Sequence, residues 1–236
     1  MSIRTVLGDI DAEELGRTDY HEHLFQVSPL LRGDELVDEQ VSLREAGLLA
    51  AAGIAAMVDA TPIGLGRLPE ATARISAATG LAVVATTGCH RSAHYSEAGW
   101  VLELDAAGLA ARMVGDISSG MPARDDAGAD SLARHAGAPI RAGMLKVGID
   151  YWRIDSFARR VLEAVGAAHE ATNAPVMVHL EHGSAAFEVL AALADVGVAP
   201  SAVVLAHVDR NPDPGLHAEV AAVGAYLGYD GPARHR

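Results

Sequence analysis

Five side chains carry the chemistry this sequence offers. They are His21 and His23 in Tyr20-His21-Glu22-His23, Lys146 in Met144-Leu145-Lys146-Val147, His179 closing Pro175-Val176-Met177-Val178, and His207 closing Val203-Val204-Leu205-Ala206. Each stands within or at the end of a short apolar run. Side chains alternate faces along a strand, so His21 and His23 point one way and Glu22 the other. Such a pair can grip one ion, because neutral imidazole is the commonest protein ligand for zinc-like cations. A single histidine at a strand end is more often a core residue bonded to backbone. Four of them at three strand ends favour a metal site.

Lys146 poses a different problem, since an ammonium between Leu145 and Val147 must be desolvated, which is costly without a partner. Three readings compete. The side chain snorkels to water, forms a Schiff base with a carbonyl substrate, or reacts with carbon dioxide to give a carbamate that bridges two cations. The carbamate fits the neighbouring histidines best, because an anionic bridge between two dications removes the charge problem.

The elements that must position these groups follow from periodicity. Apolar runs predict strands over 17–24, 55–60, 81–87, 143–147, 175–180, 203–207 and 225–229. Apolar residues at i, i+3, i+4 spacing predict helices over 34–52, 68–78, 100–117, 154–172, 184–196 and 214–223. Asp155 and Ser184 read as helix caps, and Gly53, Gly80, Gly197 and Gly224 as helix ends. Thr5 to Ile10 reads as a strand and turn outside the repeat, and 118–130 as a long loop. Alternating strands and helices of this kind build α/β folds with a parallel sheet, and ~250 residues is typical of a (β/α)8 barrel. In such barrels, ligands converge at the carboxyl ends of the strands. The expectation is one domain over 1–236.

Composition excludes several classes of function. The 236 residues carry a formal net charge of −13, with no basic run interleaved with aromatics, which argues against nucleic acid. No stretch of ~20 uninterrupted apolar residues offers a membrane span. The lone Cys89 cannot form an internal disulfide, and Met1 to Thr5 begins no secretory signal, so a cytoplasmic location is expected.

The ordered combination of motifs resembles the phosphotriesterase-related family of the amidohydrolase superfamily. The pieces are Gly16-Arg17-Thr18-Asp19-Tyr20-His21-Glu22-His23, the opening Thr5-Val6-Leu7-Gly8, Ala142-Gly143-Met144-Leu145-Lys146-Val147-Gly148, and Ala174-Pro175-Val176-Met177-Val178-His179, followed by His207. The resemblance covers the whole chain and implies a (β/α)8 TIM-type barrel with two divalent metal ions, zinc first among them. It implies that His21 and His23 bind the more buried ion, that carbamylated Lys146 bridges both, and that His179 and His207 bind the more exposed one. A hydroxide shared by the ions then attacks a lactone, carboxylic ester or phosphotriester. Two cations ~3.5–4 Å apart suit that chemistry by acidifying water and polarising the bond under attack.

One part of the family pattern is missing. Relatives supply an aspartate from an eighth strand, whereas only Gly231 to Arg236 follow Asp230 here. The expectation is a barrel truncated after its seventh strand, with exposed strand edges that should make the chain form a homodimer, aggregate or be marginally stable. Asp230 matches an aspartate that follows the seventh strand in relatives and is not assigned to the missing role. The leading function is a metal-dependent hydrolase of a small lactone or ester, with phosphotriesters second. The alternatives are a truncated, catalytically impaired metal-binding barrel and a Schiff-base lyase using Lys146.

Substrate clues lie in Gly88-Cys89-His90-Arg91-Ser92-Ala93-His94-Tyr95, a polar loop expected to overhang the barrel mouth. His90, Arg91 and Tyr95 there could hold an anionic group. An aromatic content of 4% weakens the reading as a neutral organophosphate pocket. Asp209 reads as orienting His207 or capping the next loop, His182 as a bystander, and His135, His169, His217 and His235 as solvated residues on helices or tails.

Overall fold

Residues Thr5 to Ile10, read as a strand and turn, belong to an antiparallel hairpin of β1 (Ser2–Thr5) and β2 (Gly8–Asp11). The computed structural model describes residues 2–95, 99–128 and 130–231; Arg234 and His235 lie outside them. Two compact units result. The first comprises Met1–Thr87, Ala93–Glu103 and Val114–Met144, and the second Gly88–Ser92, Leu104–Met113 and Leu145–Arg236.

In the first unit, β3 (Thr18–Glu22), β4 (Ala56–Asp59) and β5 (Ala82–Cys89, its last two residues in the second unit) run parallel. Helices α1 (Glu39–Ala51) and α2 (Pro69–Thr79) make the crossovers. The expected start at residue 34 moves to Glu39, because the Asp38 carboxylate caps the helix by accepting the N–H groups of Gln40 and Val41. The helix expected over 100–117 is two, α3 (Gly99–Glu103) in this unit and α4 (Ala106–Ser118), whose residues through Met113 belong to the second. The Asp105 carboxylate takes the Gly108 N–H at 2.7 Å and starts a new helix there. A small hairpin, β6 (Arg134–His135) and β7 (Ala138–Pro139), follows the long loop, so His135 lies on a strand rather than a helix or tail.

The second unit contains β8 (Met144–Ile149) from Leu145 onward, β9 (Val176–Leu180), β10 (Val203–Ala206) and β11 (Tyr226–Leu227), all parallel. Every residue of β9 is buried, the mark of a parallel strand covered on both faces. Helix α5 (Ser156–Thr172) starts where Asp155 caps the Ala158 N–H at 2.8 Å, and it buries Phe157, Val161, Val165 and Ala168 along one face. Helices α6 (Ala186–Asp195) and α7 (Pro214–Val223) complete the unit. Ser184 does not cap α6, because Ala185 occupies that position at φ 59°. Gly80 and Gly224 end α2 and α7 in the left-handed conformation, as expected of C-terminal glycines. His169 and His217 are half-buried and bonded rather than solvated. His169 reaches the Ala174 carbonyl, and His217 bonds both the Val208 carbonyl and the Tyr229 hydroxyl. Among the described residues no helix is long and apolar enough to cross a membrane.

Candidate metal centre

Register alone brings two of the expected ligands together. On β9, His179 stands beside Gly148 of β8 and Ala206 of β10, and His207 is the next residue along the chain. His207 falls just past β10 rather than inside it, with φ 68°. That left-handed conformation costs a non-glycine residue on the order of 1–3 kcal/mol. Here it accompanies a ring 4.5 Å from that of His179, with Nε2 2.8 Å from Nδ1 of His179.

The partners of these rings fix their protons. Nε2 of His179 lies 3.1 Å from Oε2 of Glu181, and Nδ1 of His207 lies 2.6 Å from Oδ1 of Asp230. Ionised carboxylates only accept, so both of those ring nitrogens carry hydrogen. In neutral imidazoles the other two nitrogens are then bare lone pairs, and they are the two that face each other at 2.8 Å. Only a cation between or beside them relieves that opposition, either a proton that makes one ring imidazolium or a metal ion. Burial pushes the pKa of His207 below its usual value, the Arg210 and Lys146 charges add to the push, and Asp230 opposes it. A proton on His207 is therefore disfavoured, and the donor set fits a divalent metal held by histidines that carboxylates orient from behind.

Asp209 acts at one remove. Its carboxylate accepts the N–H groups of Asp230 at 3.3 Å and Gly231 at 2.8 Å, so it fixes the segment after β11 that carries Asp230.

Lys146 stands beside Met177 in the β8–β9 register and is 0% exposed, which removes snorkelling from its three readings. Two glycines let the chain pass closely here. A Cβ on Gly88, at φ 119°, would strike the Lys146 backbone, and one on Gly148 would strike the backbone of His90 and Arg91. His90 is buried, with its ring 4.3 Å from that of His179 and its Nδ1 accepting the Arg91 N–H. The Arg91 guanidinium is engaged by Asp150 and Glu181, each at 3.1 Å. A loop residue expected to offer its charge to a substrate anion thus already ties two carboxylates together.

The remaining predicted residues lie in the first unit. Tyr95 is 0% exposed, so its ring is interior rather than spread over an open mouth. His21 is on β3, and His23 lies just beyond the strand's end at Glu22; both are half-buried, with ring centroids 5.6 Å apart. The Thr61 hydroxyl donates to the Phe25 carbonyl at 2.7 Å, so it must accept from Nδ1–H of His23 at 2.8 Å. That bond selects the tautomer whose Nε2 is unprotonated, the form that ligates metal.

A cavity of about 780 Å3 opens in the second unit, lined by Arg91, Asp150, Trp152, Glu181, Arg210 and others. Sequence reasoning gave no role to Glu181 or Asp150, and it matched Asp230 to an aspartate of relatives without assigning it one. All three follow the carboxyl ends of strands, so the positional criterion that selected the histidines could have found them.

A model of the phosphotriesterase family matches residues 1–233. The chain belongs to that family. A phosphotriesterase homology protein of Mycobacterium tuberculosis is 34% identical over 97% of this chain and 70% of its own length. A phospho-furanose lactonase of Mycoplasmopsis agalactiae is 29% identical over 98% of this chain and 67% of its own. The crystal structure of a lactonase from Listeria monocytogenes superposes with a TM-score of 0.86 at 29% identity, covering 99% of this chain and 73% of that one. The fold is therefore the α/β TIM-barrel type of the phosphotriesterase-like proteins, and the chain is a hydrolase of that family.

Proposed function

We propose that this protein is a metal-dependent lactonase that opens the ring of a small, phosphorylated sugar-like lactone, with other carboxylic esters and phosphotriesters as lesser substrates. The supporting observation is the pair of imidazole nitrogens, Nδ1 of His179 and Nε2 of His207, facing each other at 2.8 Å while Glu181 and Asp230 hold the opposite nitrogens. The name phospho-furanose lactonase, carried by the Mycoplasmopsis relative, favours the phosphorylated lactone.

By family resemblance, His179, His207, His21, His23 and carbamylated Lys146 would hold two divalent cations, with zinc the first candidate metal. Such ions, when bound, acidify water and polarise a carbonyl. The protein's own part is orientation and charge. Glu181 and Asp230 hold the histidine rings, the Thr61 hydroxyl sets the His23 tautomer, and burial keeps the Lys146 amine out of water, where a carbamate would neutralise the cost of its charge. His90, its ring 4.3 Å from that of His179, is a further titratable group beside that ligand.

The test is metal analysis together with a panel of phosphorylated and plain lactones, aryl esters and phosphotriesters. About two ions per chain are expected, with lactone turnover abolished by chelation. His179→Ala and His207→Ala should each lose at least one ion and 100-fold or more in turnover. Lactone hydrolysis that persists in both variants would sink the proposal, and borohydride trapping of a carbonyl substrate on Lys146 would replace it with the Schiff-base reading.

A further inference from the structure

The cavity beside the candidate metal centre contains two arginines in opposite situations. Arg91 is bound to Asp150 and Glu181. Among the described residues Arg210 has no such carboxylate, yet it lines the same cavity with Asn211, and its charge is felt at His207. The wall that accompanies it is aromatic. Tyr151 and Trp152 are 59% and 58% exposed, and the Tyr151 ring also packs edge-on to His182 at 5.9 Å.

That wall is built rather than incidental. Trp152 is held at φ 49° and His182 at φ 52°, both left-handed without being glycine, and such strain persists only where surroundings enforce it. The enforcing bonds are visible. The Trp152 N–H donates to Ser184 Oγ at 3.0 Å, Ser184 Oγ donates to the Glu181 carbonyl at 2.7 Å, and the Tyr151 N–H donates to the Asp150 carboxylate at 3.0 Å. Arg91 ties Asp150 to Glu181, so one network fixes both the aromatic wall and the carboxylate behind His179.

We propose that Arg210, with Asn211 beside it, receives the phosphate of a phosphorylated sugar-like ligand, while Trp152 and Tyr151 cover the face of its ring. This rests on the lactonase reading and adds the residues that select its substrate. A guanidinium without an internal counter-ion is the natural partner for a phosphate oxygen pair, and it gains more from that partner at a half-buried cavity wall than in open water. A flat apolar surface suits the C–H face of a small sugar ring.

Binding can be read without turnover. In titration calorimetry of the metal-loaded protein, ribose 5-phosphate should bind at least 30-fold more tightly than ribose. In Arg210→Met that preference should fall below threefold, and in Arg210→Lys it should lie between, with metal content measured in each variant to confirm a loaded centre. Trp152→Ala should weaken both ligands by similar factors and leave the preference in place. Equal binding of the two ligands by the native protein, or an unchanged preference in Arg210→Met, would overturn the inference. If the preference holds and no lactone is hydrolysed, the lactonase reading falls while the phosphate site stands.

Discussion

Oδ1 of Asp230 lies 2.6 Å from Nδ1 of His207, and this carboxylate comes from the segment that follows the seventh strand of the parallel series, 23 residues further along the chain. It decides which nitrogen of His207 is left to bind a cation. Removing it in Asp230→Ala should weaken metal binding by 10- to 100-fold, the usual loss when a carboxylate behind a ligating histidine is deleted. Asp230→Asn, whose amide oxygen still accepts the Nδ1 hydrogen, should fall between. Competition against a chromogenic chelator gives the affinities, and equal binding by all three proteins would show that the bond has no part in metal capture.

Glu181 links two groups of the second unit, touching His179 at 3.1 Å and Arg91 at 3.1 Å. Glu181→Ala leaves a partly buried guanidinium with one carboxylate instead of two and His179 without its orienting acceptor. A loss of about 1–3 kcal/mol in unfolding free energy is expected, together with weaker metal binding. Denaturant melts of the metal-free protein separate the two effects. A variant that keeps full stability but loses metal would assign Glu181 to the ligand site alone.

The first unit contains a buried charge cluster that no sequence motif announced. Arg67 is paired with Asp116 at 2.8 Å and Asp125 at 3.1 Å, all almost without solvent. Burial alone would discourage its charge, but the two carboxylates outweigh that and raise its pKa, so Arg67 stays charged at every accessible pH. Arg67→Met would leave two buried carboxylates without this counter-ion and should cost about 3–5 kcal/mol. Asp125→Asn, which leaves Asp116 in place, should cost less. Thermal melts rank the two, and a mild loss in Arg67→Met would mean the cluster is open to water.

Two glycine substitutions should act in opposite directions. At Gly88 a methyl group would meet the Lys146 backbone in a left-handed conformation, so Gly88→Ala should destabilise by more than about 3 kcal/mol or prevent folding. At Gly47, inside α1 with open space around its Cβ position, Gly47→Ala should stabilise by about 0.5–1 kcal/mol. Unfolding midpoints of the pair are the check, and a tolerated Gly88→Ala would show that the backbone at Lys146 can yield to a methyl group.

The sequence by itself determined the seven parallel strands and most of the helices between them, the fold family and the identity of the chemical side chains. Continuous apolar runs and apolar residues at a period of 3.6 are written locally, and histidines and a lysine at strand ends are conspicuous because such positions are otherwise apolar. Helix boundaries set by a single side chain, as Asp38 and Asp105 set theirs, were harder to read, since an aspartate signals a cap only when the backbone N–H groups ahead of it turn toward it. Tertiary structure alone decided that Arg91 is spent on Asp150 and Glu181 while Arg210 is left to the cavity, that Tyr95 is interior, and that Asp230 stands behind His207. Each of those outcomes depends on which loops meet after the strands align. Pairing of charges across loops follows from distance in space, which leaves no period in the sequence to detect.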